Sequence, residues 1–208
     1  MKIGVIDYGM GNLFSVEQAL KRLGVEVLVT ADQQQLAAAD AVVLPGVGAF
    51  PDAMKRLEET KLVDFIYAQK EANKPLLGIC LGMQLLFEHS VEVAPTKGLG
   101  IFTGTIERFS GVSRIPHMGW NDVALQNEPQ WLQNATLPEA RHVYFVHSFY
   151  ATNIDEQQLV AYADYEGVRV PGIVSNGSFT GMQFHPEKSG ELGVALLQSW
   201  LEGVKRTC

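Results

Sequence analysis

The stretch Leu76-Leu77-Gly78-Ile79-Cys80-Leu81-Gly82-Met83-Gln84 joins an apolar segment directly to a segment of helix-forming residues. Residues 76–79 predict a short buried strand, because apolar residues would point to both of its faces. Residues 81–87 predict a helix from their propensity. A buried strand that leads at once into a helix is typical of α/β folds, in which helices cover both faces of a parallel sheet.

The chain before this stretch alternates strand and helix patterns in the same way. Apolar runs typical of strands occupy residues 3–6, 25–29 and 41–44. Helical spacing or a helix-opening residue occurs after Asn12, at Pro51 and over residues 62–72. This order predicts a parallel sheet that is covered on both faces.

The second half of the chain has the pattern of antiparallel strands. Strand patterns with Gly and Pro punctuation occupy residues 101–109, 143–150, 159–165 and 168–184. Within the last of these, Asn176-Gly177 predicts a type I′ hairpin turn, because both residues tolerate positive φ. Ser189 is a suitable cap for a final helix that carries on one face Leu192, Ala195, Leu196 and Trp200.

We therefore predict a single domain over residues 1–208 with an α/β fold. Its central sheet is mostly parallel, helices lie on both faces, and an antiparallel β extension occupies the C-terminal half. A chain of 208 residues can bury a sizeable core without disulfides or structural metal.

Composition and charge exclude several classes of function. The 16 basic and 23 acidic residues give a formal charge of −7, so a nucleic acid is not expected as partner. No apolar run approaches the length of a membrane span, and the N-terminal apolar stretch is too short for a signal peptide. We therefore expect a cytoplasmic protein that does not contact a membrane.

No metal or cofactor is expected from the motifs. Neither H-E-x-x-H nor C-x-x-C occurs in the chain, and a G-K-[ST] phosphate loop is absent as well. Both glycine pairs fail as dinucleotide-binding loops at the position of the third glycine. Gly9-Met10-Gly11 is followed there by Phe14, and Gly46-Val47-Gly48 by Pro51.

Cys80 is the first candidate for chemistry, because it lies in the G-x-C-x-G pattern of a nucleophile elbow. A nucleophile on this sharp turn points away from the sheet, and Gly78 and Gly82 relieve the crowding around it. The positive end of the following helix would favour the thiolate. The alternative is an inert buried cysteine. The second cysteine, Cys208, is the last residue and has no assigned role.

A thiolate nucleophile needs a base and a group that orients the base. In His185-Pro186-Glu187, an extended backbone would place the imidazole and the carboxylate on the same face. Glu187 could then fix the tautomer of His185 while the other ring nitrogen faces the sulfur. The alternative is a surface strand end with two unrelated polar residues. His147 is the rival base, although no acid follows it at short spacing.

Over essentially the whole chain, these motifs resemble the class I, or triad, glutamine amidotransferases. The Cys80 motif and Phe184-His185-Pro186-Glu187 match the triad of that family. Pro45-Gly46-Val47-Gly48-Ala49-Phe50 matches the loop whose backbone helps to form its oxyanion hole. Two further segments, residues 7–13 and Pro-His-Met-Gly-Trp-Asn at 116–121, are similar to those members that serve imidazole glycerol phosphate synthases.

The resemblance implies hydrolysis of glutamine to glutamate and ammonia, with Cys80 as nucleophile, His185 as base and acid, and Glu187 as orienting carboxylate. It also implies an oxyanion hole of backbone N–H groups, at Leu81 and at the Val47–Gly48 peptide. By family position, the residues that should bind glutamine are Gly46, Gln84, Glu92, His147, Ser148 and Phe149. As alternatives, Gln84 could be a surface helix residue and Glu92 a solvated carboxylate.

A partner is implied as well, because a chain of this length has no room for a second active site of barrel size. The resemblance implies a heterodimer with a cyclase subunit, a (β/α)₈ barrel that receives ammonia through a channel. That subunit would form imidazole glycerol phosphate and an aminoimidazole carboxamide ribotide in histidine biosynthesis. The candidate interface residues are Asn12, His117, Trp120 and Asn121. An exposed Trp120 would suit an interface anchor, and a core tryptophan is the alternative.

Three other functions stay open at this point. The chain could supply ammonia to another synthase, such as one for anthranilate, guanylate or pyridoxal phosphate. It could be a catalytically silent scaffold, although an intact set of Cys80, His185 and Glu187 argues against this. It could also hydrolyse γ-glutamyl bonds without a partner.

Overall fold

The computed structural model describes residues 1–133 and 135–207. Its strands are β1 (Lys2–Ile6), β2 (Glu26–Thr30), β3 (Ala41–Gly46), β4 (Leu76–Cys80), β5 (Phe87–Ser90), β6 (Thr96–Lys97), β7 (Phe102–Arg108), β8 (His117–Asp122), β9 (Ala124–Leu125), β10 (His142–His147), β11 (Phe149–Thr152), β12 (Leu159–Tyr165), β13 (Val168–Asn176) and β14 (Phe179–Met182). Its helices are α1 (Leu13–Arg22), α2 (Gln33–Ala37), α3 (Phe50–Glu59), α4 (Leu62–Glu71), α5 (Leu81–Gln84) and α6 (Gly190–Thr207), and a 3-10 turn spans Pro186–Lys188.

A central sheet of eight strands organises the fold, in the order β2-β1-β3-β4-β14-β13-β12-β9. The first five strands pair in parallel, and the last three join by antiparallel pairing. The predicted fold class is confirmed, including the antiparallel extension at one side of the sheet. Two small sheets, β10-β8 and β11-β7-β5-β6, were not predicted.

Helices cover both faces of the central sheet, because alternate residues of its strands point to opposite sides. On one face, Val5 and Val43 pack in a buried cluster with side chains of α1 and α6, among them Trp200. On the other face, Val42 and Leu44 pack with residues of α3 and α4. Among the described residues, no helix is long and apolar enough to span a membrane.

The predicted helix over 81–87 is wrong in its second half. The helix α5 ends at Gln84, and the chain continues as strand β5. Long-range pairing overrides the local propensity here, since Leu85 O and Leu86 O accept from the N–H groups of Leu99 and Phe102. A glycine at 98 permits this approach, because an added Cβ there would lie 2.2 Å from Phe87 O.

Two strand predictions also need correction. The predicted strand over 143–150 is two strands in different sheets, β10 and β11. The predicted hairpin is present, but Asn176 pairs with Phe179, so the two-residue loop is Gly177-Ser178. Gly177, at φ +62°, is the first loop residue. Glycine in that place is the preference of a type II′ turn and not of the predicted type I′ turn.

Candidate active site

Cys80 lies at the junction between β4 and α5, with a strained backbone at φ +55° and ψ −115°. Both neighbouring glycines are required by the turn. A Cβ on Gly78 would lie 2.8 Å from Gly82 O, and a Cβ on Gly82 would lie 1.8 Å from Leu44 O. Close packing of β3, β4 and α5 thus holds Cys80 in a backbone conformation that residues other than glycine rarely adopt.

His185 and Glu187 form the predicted pair, but the backbone between them differs from the extended conformation that was predicted. His185 Nδ1 lies 2.8 Å from Glu187 Oε1, and the carboxylate side chain is only 1% exposed. The segment is not extended, because a 3-10 turn begins at Pro186 and brings the carboxylate back to the ring. Ser189 fixes the turn, since its Oγ donates to His185 O at 2.6 Å and accepts from Tyr144 N at 3.0 Å.

The charge state of His185 follows from its neighbours. Burial alone would lower the pKa of this imidazole, but hydrogen bonds to Cys80 and Glu187, and the negative charges of both, raise it to about 9. The ring is therefore protonated at neutral pH. With a carboxylate on Nδ1 and Cys80 beside the ring in the same site, these residues have the arrangement of a Cys-His-acid triad.

A cleft of about 400 Å³ opens above this triad, a size typical of small-molecule sites. Its wall brings together most of the residues selected from the sequence, namely Val47, Gly48, Cys80, Leu81, Gln84, Glu92, His147, Ser148, Phe149 and His185. Pro116 and Val146 also line it and were not foreseen.

Gly46 is not among the residues that line the cleft, and its selection as a glutamine-binding residue stays a prediction. It pairs with Cys80 across β3 and β4. A Cβ on Gly46 would lie 2.7 Å from Tyr8 Oη and 2.8 Å from Gly82 N. The residue is a glycine because three segments meet there beneath the nucleophile.

Val47 and Gly48 line the cleft together with the nucleophile. Val47 is 43% exposed, and Gly48 has φ +104°, a region that favours glycine. Met10 packs behind this loop, since its Cε would lie 2.8 Å from a Cβ on Gly48. The peptide between Val47 and Gly48 is thus available to the cleft while its rear is covered.

Gln84 is buried and fixed, so the alternative of a surface helix residue is excluded. Its Nε2 donates to Phe149 O and to Gln183 Oε1, both at 2.9 Å. With both amide hydrogens used, its carbonyl oxygen remains to accept from a ligand. Glu92 accepts at 2.9 Å from the N–H of Phe50, the first residue of α3, where Ala49 offers no side-chain cap.

His147 is excluded as the base, because both of its ring nitrogens are engaged. Its Nδ1 lies 2.8 Å from Phe149 O, and a carbonyl can only accept, so this nitrogen carries the proton. Its Nε2 then accepts from His117 Nδ1 at 3.0 Å. Burial lowers the pKa of His147 to about 3 and that of His117 to about 4, so both rings are neutral.

The proposed interface residues differ in exposure, since Trp120 is exposed, His117 is buried, and Asn12 and Asn121 are partly buried. Trp120 is 59% exposed, which excludes the alternative of a core tryptophan. His117 is buried within this chain and stacks on Tyr165 with their ring centroids 3.9 Å apart, and its selection as a contact residue stays a prediction. Asn12 accepts from Ser15 N at 3.4 Å as the cap of α1, and Asn121 Nδ2 donates to Asp164 O at 2.8 Å.

Two residues near the nucleophile were missed by the sequence analysis. Gln183 is fully buried, and its Nε2 lies 3.9 Å from Cys80 Sγ. Its signal was a polar residue between the apolar Met182 and Phe184, two positions before His185. Tyr8 is buried behind the cleft, and its Oη donates to Pro45 O at 2.9 Å. No local pattern around Tyr8 pointed to this contact.

Over residues 1–133 and 135–207, no cluster of three or more His, Cys, Asp or Glu side chains is arranged to hold a metal ion. The arrangement can perform nucleophilic attack by sulfur, with proton transfer by an imidazole and with backbone donors near the reacting carbonyl. Cys208 lies outside the described residues.

Sequence comparison gives one family and two close relatives of this chain. The family model described as "Glutamine amidotransferase class-I" matches residues 4–202. The imidazole glycerol phosphate synthase subunit HisH of Geobacillus kaustophilus is 48% identical over 205 residues, which cover 96% of this chain and 95% of that protein. The HisH subunit of Bacillus cereus strain G9842 is 50% identical over 199 residues, or 95% of this chain and 93% of that protein.

Structure comparison gives the same fold at lower sequence identity. A solved structure described as a glutamine amidotransferase superposes with a TM-score of 0.76 at 22% identity, covering 98% of both chains. A chain of PurLQS from Thermotoga maritima superposes with a TM-score of 0.77 at 24% identity, again covering 98% of both chains.

Proposed function

The chain belongs to the class I glutamine amidotransferases, and from this membership we propose that it is the glutaminase subunit of an imidazole glycerol phosphate synthase. As a single amidotransferase domain over residues 1–208, it hydrolyses L-glutamine in the cytoplasm, where thiols stay reduced. The observation that carries the proposal is the convergence of Cys80, His185 and the Val47–Gly48 peptide on one cleft.

The reaction starts from a thiolate paired with a protonated imidazole. Cys80 Sγ attacks the carbonyl carbon of the glutamine side-chain amide, and the carbonyl oxygen becomes a tetrahedral oxyanion. The N–H of Leu81 and the peptide N–H of Gly48 hold this oxygen, and donors of this kind contribute about 3–4 kcal/mol each to transition-state stability.

Collapse of the tetrahedral intermediate breaks the carbon–nitrogen bond. His185, whose pKa of about 9 keeps its proton in place at neutral pH, delivers that proton to the leaving nitrogen, and ammonia departs. Now neutral, the imidazole takes a proton from water, which attacks the thioester. Glutamate leaves and the thiolate–imidazolium pair is restored. Glu187 keeps the ring oriented throughout, through its bond to Nδ1.

Glutamine recognition rests on the polar groups of the cleft wall. The free carbonyl oxygen of Gln84 and the carboxylate of Glu92 can accept hydrogen bonds from the α-amino group. Backbone groups of residues 147–149 supply the remaining contacts, including those to the α-carboxylate.

The ammonia passes to a cyclase subunit, a (β/α)₈ barrel that forms a heterodimer with this chain. That subunit uses it to make imidazole glycerol phosphate and an aminoimidazole carboxamide ribotide in histidine biosynthesis. Trp120 lies on strand β8 and is exposed to solvent. A large exposed aromatic side chain of this kind is typical of an interface anchor.

The proposal is tested by a glutaminase assay of the chain alone, with the cyclase subunit, and with that subunit and its ribonucleotide substrate. We expect little activity alone and a rise with each addition, since free ammonia would be wasted. Full activity of the isolated chain would support an independent γ-glutamyl hydrolase. Co-purification with a synthase for anthranilate, guanylate or pyridoxal phosphate would assign the chain to another pathway.

A further inference from the structure

Tyr8 is buried, and its phenol hydroxyl makes a hydrogen bond to the backbone. It follows strand β1, is 3% exposed, and its Oη donates to Pro45 O at 2.9 Å. Pro45 is the penultimate residue of β3, and proline has no N–H. Its carbonyl is therefore the only polar backbone group through which this position can be held.

The bond acts at the point where β3 passes into the oxyanion loop. Gly46, Val47 and Gly48 follow Pro45 directly, and the last two line the cleft. Tyr8 Oη is close enough to this turn that a Cβ on Gly46 would lie 2.7 Å from it. The hydroxyl thus touches the loop at its base, beneath the cleft and away from the substrate side.

Residues after Tyr8 continue this support along the loop. A Cβ on Gly11 would lie 3.2 Å from Pro45 Cγ, and Met10 Cε lies 2.8 Å from the place of a Cβ on Gly48. The segment over residues 8–11 therefore packs against the back of the oxyanion loop. Within this contact, Tyr8 supplies a directional polar bond, whereas the other contacts are apolar.

We propose that Tyr8 is a positioning residue that fixes the Val47–Gly48 peptide for oxyanion stabilisation by holding the carbonyl of Pro45. The inference rests on the proposed glutaminase function. Oxyanion donors must lie within a few tenths of an ångström of their working place, so loss of this anchor reduces the rate of the chemical step. Burial, and then the charge of Cys80, raise the pKa of Tyr8, so the phenol remains a donor throughout the working pH range.

Tyr8→Phe tests the proposal, with Tyr67→Phe as the matched control. Tyr67 Oη also donates to a backbone carbonyl, that of Leu99, at 2.9 Å, but it lies away from the cleft. Both variants and the parent chain carry Cys208→Ser, so that Cys80 is the single thiol. Glutamine hydrolysis is measured with the cyclase subunit and its ribonucleotide substrate present.

We expect Tyr8→Phe to lower kcat between about 10-fold and 100-fold, with KM for glutamine within about twofold of the parent. Tyr67→Phe should match the parent. Alkylation of Cys80 by iodoacetamide, which forms no oxyanion, should proceed at the same rate in all three chains. Amide exchange at Val47 and Gly48 should be faster in Tyr8→Phe alone.

Several results would overturn the inference. These are an unchanged kcat in Tyr8→Phe, an equal loss in Tyr67→Phe, or alkylation that slows by the same factor as kcat, which would place the effect on Cys80. If Tyr8→Phe is less stable, assays are run below its melting transition, and unchanged amide exchange at Gly48 then contradicts the proposal. Failure of the parent and of Tyr67→Phe to hydrolyse glutamine would instead contradict the proposed function.

Discussion

His117 Nδ1 donates to His147 Nε2 at 3.0 Å, and this bond joins strand β8 to the wall of the glutamine cleft. The donor direction is fixed, because His147 Nδ1 must give its own proton to Phe149 O. Phe149 O also accepts from Gln84, so both of its lone pairs are filled. The carbonyl of Phe149 therefore holds Gln84 and His147 in place and has no lone pair left to accept from a substrate.

This chain of hydrogen bonds predicts that His117 affects glutamine binding without touching the ligand. His117→Phe keeps a ring that can stack on Tyr165 and Phe145, but it removes the Nδ1–H donor. His147 then has an unpaired nitrogen in a buried place, and the wall loses one of its fixed contacts. We expect KM for glutamine to rise about fivefold to tenfold with a smaller change in kcat, measured by steady-state kinetics.

His117→Asn is the matched variant, because its side-chain amide can place a donor near the position of Nδ1. It should recover most of the binding lost in His117→Phe. Proton–nitrogen correlation spectra of the imidazoles should show His147 protonated at Nδ1 in the parent chain. Equal KM values for the parent and His117→Phe would show that the pair has no part in positioning the cleft.

Cys80→Ala is predicted to abolish glutamine hydrolysis while the fold remains intact. Alanine keeps the backbone strain at this position but removes the attacking sulfur. Loss of rate should reach at least about 10³-fold, the scale on which removal of a nucleophile acts. Cys208→Ala is the control and should hydrolyse glutamine normally. Retained activity in Cys80→Ala, measured as glutamate release, would rule out the thioester mechanism.

The elbow could be predicted from the sequence because its causes are local. Gly78 and Gly82 lie two residues before and after Cys80, where the sharp turn leaves no room for a side chain. The apolar run before Cys80 is typical of a buried strand. The same holds for His185 and Glu187, which are two residues apart, although the 3-10 turn between them was not foreseen. Local spacing indicated which groups meet, but not the backbone conformation that brings them together.

The parts that could not be predicted depend on contacts between distant segments. Gln183 and Cys80 are 103 residues apart, and Tyr8 and Pro45 are 37 residues apart. His117 is buried because it stacks on Tyr165 and binds His147, and neither contact has a periodic signature. Such contacts join residues that are far apart in the sequence. They determine burial and hydrogen-bond partners, but they leave no pattern within one segment of the chain.

The raised pKa of His185 predicts the pH dependence of the reaction. The imidazole holds its proton up to a pKa of about 9, so kcat/KM should be level from neutral pH and fall as the pH rises through that value. Glu187→Gln removes one of the charges that raise this pKa while it keeps a side-chain acceptor. Its alkaline fall should therefore begin at lower pH. An identical alkaline limb in both proteins would show that His185 is not the group that titrates.

Trp120 is predicted to anchor the cyclase subunit. Its side chain is 59% exposed on β8, and Met118, two residues earlier on the same strand, is 64% exposed, so the two side chains form an apolar surface on one face of β8. Trp120→Ala should weaken the complex by about 2 kcal/mol or more, roughly 30-fold in Kd, since large aromatic anchors contribute on this scale. The melting temperature of the isolated chain should change little, because little buried area is lost. Calorimetric titration with the cyclase subunit measures the effect, and an unchanged Kd would place the interface elsewhere on the surface.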